Sequence, residues 1–186
     1  MGDSQNILEG SLCYLIGAID CASDLGVGWR KKTISECKNN NLDIKFLDPT
    51  HKVVGLLSET REEHKKIMSL KDNSQWDELS QLMRVIVRQD HRSVDLSDFV
   101  IFHVDSTVHH CGSYFEFQSA LTQKKPYFII SEGGKKTLPS WMFGICDHNF
   151  VFDRVEDVIQ YLVGLNNGSI PLSSRWVLFR KQISRM

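Results

Sequence analysis

Glu116 stands in the segment Cys111-Gly112-Ser113-Tyr114-Phe115-Glu116, a glycine-containing stretch that opens a helix. The helix macrodipole favours an ionised carboxylate in a first turn, and an ionised carboxylate is a nucleophile or a base. The same spacing has a plainer meaning. Ser113-x-x-Glu116 is a capping-box pattern, in which both side chains bond backbone N–H groups at a helix start. Spacing alone favours the cap.

A second acidic group, Asp90, Asp95 and Asp98, precedes an apolar run. Asp98 suits a turn into that run. Asp90 falls near the expected end of a helix, where the macrodipole disfavours a carboxylate, so its presence there hints at a use other than stability. Tyr14 ends the apolar part of a strand beside Gly17, and its plain reading is a core aromatic with a hydroxyl at the edge. His109 and His110 are able to bind phosphate or shuttle protons, and local sequence does not choose between these. Cys111 lacks a catalytic-cysteine context and reads as a small buried thiol.

The elements that position these groups alternate between apolar runs and amphipathic stretches, the pattern of an α/β domain with a parallel sheet. Strands are expected at 12–16, 44–47, 99–104, 127–130 and 150–152. Helices are expected from about Trp29 to Lys38, Trp76 to His91, Ser113 to Gln123 and Val155 to Leu165. In the second of these, Leu79, Leu82, Met83, Ile86 and Val87 form an apolar stripe. The charged stretch Glu59 to Leu70 reads as a helix or a flap. The expected fold is a three-layer sandwich around a five-stranded parallel sheet, flavodoxin- or Rossmann-like, spanning residues 1–165, with 166–186 as a C-terminal extension. In such a sheet a ligand belongs at the carboxyl ends of the strands.

Composition narrows the function classes. With 41% hydrophobic residues the 186-residue chain suits one compact domain, and a net charge of −1 gives no field to attract a nucleic-acid polymer. No apolar run approaches the roughly 20 residues that span a bilayer. Five cysteines, an odd number without a CxxC, point to reduced thiols and a cytoplasmic protein. No HExxH-type pattern is present, so neither a metal nor another cofactor is expected.

Taken in order, several segments resemble the nucleoside 2-deoxyribosyltransferase family, including its phage-encoded members and the related deoxynucleotide N-hydrolases. Tyr14-Leu15-Ile16-Gly17-Ala18-Ile19-Asp20 resembles the family's opening strand and glycine turn, with Trp29-Arg30 as the sequel. Asp90 followed by Ser97-Asp98-Phe99-Val100-Ile101 resembles its acidic block, and Gly112 to Leu121 the helix start that carries its nucleophile. Lys125-Pro126 and Leu138 to Gly144, which includes Trp141, complete the match.

The resemblance implies a glutamate nucleophile, Glu116, that attacks an anomeric carbon and forms a covalent glycosyl-enzyme intermediate, as in a retaining glycosidase. It implies Asp90 as proton donor to the leaving base, a role that needs a carboxyl able to carry a proton. Tyr14 would orient the nucleophile. Gly17, Ile19, Asp20, Asp98, His110, Gly112 and Trp141 would contact substrate.

Two positions depart from the family pattern. His110 replaces the aspartate or serine six residues before the nucleophile, and a protonated histidine there would favour a 5′-phosphate. Pro139 replaces an Asn or Ser that often reaches a neighbouring subunit's site. The expected partner is a small nucleoside or nucleotide, and the expected assembly a homo-oligomer. The expected activity is deoxyribosyl transfer, with a nucleotide N-hydrolase or a non-catalytic nucleotide-binding relative as alternatives.

Overall fold

In the computed structural model, which describes residues 6–51, 61–173 and 176, five parallel strands form one sheet with helices on both faces. The strands are β1 (Ser11–Gly17), β2 (Ile44–Leu47), β3 (Phe99–Val104), β4 (Tyr127–Ser131) and β5 (Val151–Phe152), in the order β2-β1-β3-β4-β5. The five-stranded parallel sheet is the one expected from the alternating pattern, and its order is that of a doubly wound, flavodoxin-like fold. Every residue of β3 and β4 is buried, because helices cover both faces; hence their unbroken apolar runs.

The helices are α1 (Val27–Asn39), α2 (Arg61–Asp72), α3 (Trp76–Leu96), α4 (Cys111–Thr122), α5 (Met142–Ile145) and α6 (Val155–Asn166). Helices α1 and α6 pack together on one face, while α3 and α4 pack together on the other, with α2 against α3. Among the described residues no helix is long and apolar enough to cross a membrane.

Three boundaries differ from expectation. Helix α3 runs five residues past His91, because Val94, fully buried, continues the inward stripe beyond the polar Asp90 and His91. Lys125 secures that end: its ammonium, itself buried, donates to the carbonyls of Asp95 and Ser97. Helix α4 starts at Cys111, two residues earlier than expected. The charged stretch is helical from Arg61, whereas Glu59 and Thr60 lie outside the described residues.

The core holds an aromatic cluster under β4 and β5. Trp176, from the expected extension, belongs to it: its ring lies 4.5 Å from Phe150 and 5.3 Å from Phe128. The rest of the expected tail, Arg175 and 177–186, lies outside the described residues.

Candidate active site

Strands β1 and β3 lie side by side, but the connections leaving their carboxyl ends diverge, since β2 and β4 lie on opposite sides of the pair. Such a switch point leaves a crevice in doubly wound sheets. Here it is a cavity of about 570 Å³, walled by the end of β1, one face of α3 and the first turns of α4.

Helix α3 supplies the apolar wall. Met83, Ile86, Val87 and Asp90 line the cavity and follow one another at helical spacing, so they share a face. The apolar stripe read from sequence therefore serves partly as pocket wall. Asp90 ends it and is only 6% exposed. Because α3 continues to Leu96, Asp90 lies well inside the helix; the expected conflict with a helix terminus is absent, and burial beside apolar side chains is what distinguishes it.

Helix α4 faces α3 across the cavity. Its N-cap is His110, so Ser113 is the third helical residue and Glu116 the sixth. The capping-box reading requires Ser113 at the N-cap and therefore does not hold. Glu116 sits in the second turn, half-buried, on the cavity wall with Cys111, Gly112 and Ser113. A Cβ added to Gly112 would meet nothing within 4 Å, so the fold itself leaves that position open. Cys111 is exposed at the cavity, contrary to the buried thiol expected; all five cysteines are free.

Strand β1 contributes Tyr14 and Gly17, and the turn beyond contributes Ile19 and Asp20. Tyr14 is 1% exposed. Gly17 has a packing reason to be glycine: a Cβ there would lie 2.8 Å from the Trp29 ring, so its missing side chain makes room for Trp29 behind the cavity lining. Arg30, fully buried, holds this turn from behind. Its guanidinium donates to the carbonyls of Leu15 (3.3 Å), Gly17 (2.8 Å) and Gly26 (2.9 Å), with Asp48 3.8 Å away. Trp29-Arg30 is thus a structural clamp on the cavity floor. Asp20 is drawn towards α2, with His64 and Lys71 each 3.1 Å from its carboxylate.

His110, at the N-cap of α4, also lines the cavity. Its Nε2 lies 3.0 Å from the Asp105 amide nitrogen and 2.9 Å from the Asp105 carbonyl oxygen, while its buried Nδ1 has no partner. Burial pushes its pKa down, so the ring is neutral at neutral pH. Burial thus works against the cation that was expected to attract a phosphate.

Eight of the ten expected site residues, Tyr14, Gly17, Ile19, Asp20, Asp90, His110, Gly112 and Glu116, line this one cavity, and two do not. Asp98 lies at the opposite, amino-terminal edge of the sheet, where its carboxylate accepts from the Leu12 N–H at 2.8 Å and its own N–H donates to the Leu12 carbonyl at 2.7 Å. It ties β3 to β1. Trp141 is 81% exposed beside α5 and lines no part of the cavity. Sequence reasoning missed Pro49, His91 and Phe115 at the rim; of these only Phe115, adjacent to Glu116, carried a signal, an aromatic on the exposed side of a helix. Among the described residues no group of three or more His, Cys, Asp or Glu side chains converges as a metal ion would need.

No family model and no curated protein matches the chain. Among solved structures it is similar to a CMP N-glycosidase from Clostridium botulinum, at 11% identity and a TM-score of 0.42, covering 81% of this chain and 97% of that one. It is also similar to a conserved protein from Enterococcus faecalis V583, at 13% identity and a TM-score of 0.40, covering 95% and 99% respectively. At these values neither likeness decides the chemistry.

Proposed function

We propose that this chain cleaves the N-glycosidic bond of a nucleoside or nucleotide through a covalent intermediate on Glu116, and passes the sugar to an acceptor base. The observation that carries the reading is the meeting of Tyr14, Asp90 and Glu116, from three elements far apart in sequence, around one cavity with an apolar wall. A flat base fits against Met83, Ile86 and Val87, as bases do on apolar surfaces. Asp90 at the end of that wall reaches its polar edge. The resemblance to nucleoside 2-deoxyribosyltransferases supports 2-deoxyribose as the sugar.

In the first step a Glu116 carboxylate oxygen bonds to the anomeric carbon. The bond from that carbon to the base nitrogen breaks, its electron pair stays with the base, and the base takes a proton from Asp90. In the second step an acceptor base nitrogen attacks the same carbon and gives its proton to Asp90. The bond to Glu116 breaks and the carboxylate is restored. Tyr14 orients the Glu116 carboxylate. Water in place of the acceptor base turns the same cycle into hydrolysis.

Incubation with deoxynucleosides, with and without a second base, tests the reading: a new nucleoside reports transfer, and base release without acceptor reports hydrolysis. A slow 2-fluoro nucleoside analogue should add its sugar mass to the peptide that contains Glu116. Wild-type turnover in Glu116→Ala would end the proposal. The same reading extends to a homo-oligomer, in which the exposed Trp141 of one copy would reach the site of another; light scattering that found monomer alone would remove that extension.

A further inference from the structure

The Ser113 hydroxyl departs from a habit of this protein's helices. Thr33, Ser93 and Thr122 each donate to the carbonyl four residues back, at 2.9, 3.0 and 2.9 Å. A serine or threonine inside a helix commonly pairs in this way. Ser113 is the third residue of α4, and the residue four back, His109, precedes the N-cap. The local bond is not made, and among the described residues the Ser113 side chain has no hydrogen-bond partner.

Ser113 is nevertheless only 6% exposed. Buried polar groups in folded proteins are paired almost without exception, so an unpaired one needs a reason. Among the described residues, the polar side-chain atoms that are both sealed from solvent and unpartnered belong to Trp29, Gln89, His110 and Glu156. Ser113 is not one of them. Its oxygen therefore keeps a little open surface, and the cavity that Ser113 lines is where that surface opens.

Two neighbours decide what the hydroxyl can meet. Glu116 follows three residues on, so it shares the helical face, with about 5–6 Å between Cβ atoms. Gly112 lines the same cavity, and an added Cβ there would have nothing within 4 Å. With the anomeric carbon at Glu116, the sugar atoms within reach are those beside that carbon. The 2′ carbon is bonded to it directly, and in retaining glycoside hydrolysis hydrogen bonds to this hydroxyl strengthen in the transition state. A 2-deoxyribose carries only hydrogen there, and would leave both the Ser113 hydroxyl and the space at Gly112 unused.

Resting on the N-glycosidic reading, we propose that Ser113 and the open space at Gly112 form a subsite for a 2′-hydroxyl, so that the chain takes ribonucleosides as well as 2′-deoxynucleosides. A serine hydroxyl can donate to that group or accept from it. The full chain and its Ser113→Ala variant are compared on the common ribonucleosides and their 2′-deoxy and 3′-deoxy analogues, by calorimetric binding and by base release. The variant should lose about tenfold more affinity and kcat/KM towards a ribonucleoside than towards its 2′-deoxy analogue, as for one hydrogen bond. The 3′-deoxy analogue keeps the 2′-hydroxyl and should follow the ribonucleoside. The variant's melting temperature should not fall, because no partner within the protein is lost.

Equal losses on a ribonucleoside and its 2′-deoxy analogue overturn the subsite, as does a loss that follows the 3′-hydroxyl instead; base release by the unaltered chain would still uphold the N-glycosidic reading. A lower melting temperature with equal losses on all the probes makes Ser113 structural and overturns the subsite too. The expected pattern in binding without base release leaves the subsite standing and removes the catalytic reading. Binding of none of the nucleosides removes both.

Discussion

Arg30 Nη2 donates to the carbonyl of Gly17 at 2.8 Å, so the turn at the head of β1, which floors the cavity, rests on a cation with no exposure to water. Two further carbonyls and Asp48 share that guanidinium. Arg30→Leu should cost about 3–5 kcal/mol, because it leaves the carbonyls of Leu15, Gly17 and Gly26 without their buried donor and takes the cation from beside Asp48. Arg30→Lys should cost less, since it keeps the charge but loses the planar fork. Urea denaturation measures both; a Leu variant within error of wild type would show that the clamp is not needed.

Gly112 and Gly17 should separate function from fold. Gly112→Ala places a methyl where the protein has nothing within 4 Å, so thermal stability should hold. If substrate occupies that space, kcat/KM should fall by about 10–100-fold. Gly17→Ala drives a methyl into the Trp29 ring and should cost about 1–3 kcal/mol.

Asp98 and Glu116 should respond in opposite ways. Asp98→Ala removes the acceptor for the Leu12 N–H and should lower stability by about 1.5–3 kcal/mol, with kcat unchanged once the folded fraction is accounted for. Glu116→Gln should leave the melting temperature close to wild type and lower kcat by about 10⁴-fold or more.

His103 and His110 should make the fold acid-sensitive before its carboxylates do. Burial is the leading cause that lowers both pKa values, so in acid the unfolded chain binds protons that the folded chain refuses. Stability is then full above the unfolded histidine value and declines as pH falls below about 6.5. Urea midpoints measured near pH 7.5 and near pH 5.5 should differ, and His110→Gln should shrink that difference.

Lys125→Met should loosen the end of α3 by leaving the carbonyls of Asp95 and Ser97 without their buried donor, at about 1–3 kcal/mol. Amide exchange near Ser97 should rise relative to β4.

What sequence could and could not convey follows from which interactions are local. Phe99 to Val104 was legible because a strand covered on both faces must be apolar throughout. The end of α3 was not, since Asp90 and His91 interrupt the stripe with polar side chains that face a cavity, and a polar interruption looks like a terminus. Glu116 was legible through its segment, but its second-turn position was not, because the start of α4 depends on the Asp105 to His110 loop. The pairing of His103 with Glu132 was hidden altogether. It arises from the parallel register that sets His103 opposite Ile130, two residues before Glu132.

Trp176 carries a consequence for biosynthesis. A chain emerging from the ribosome exposes all five strands and α6 before this indole appears, yet Phe128 and Phe150 complete their packing only against it. Vectorial synthesis therefore yields a nascent domain whose sheet is available while part of its aromatic core is still open to solvent. Over that interval the emerging polypeptide presents a sticky face of the kind that chaperones shield.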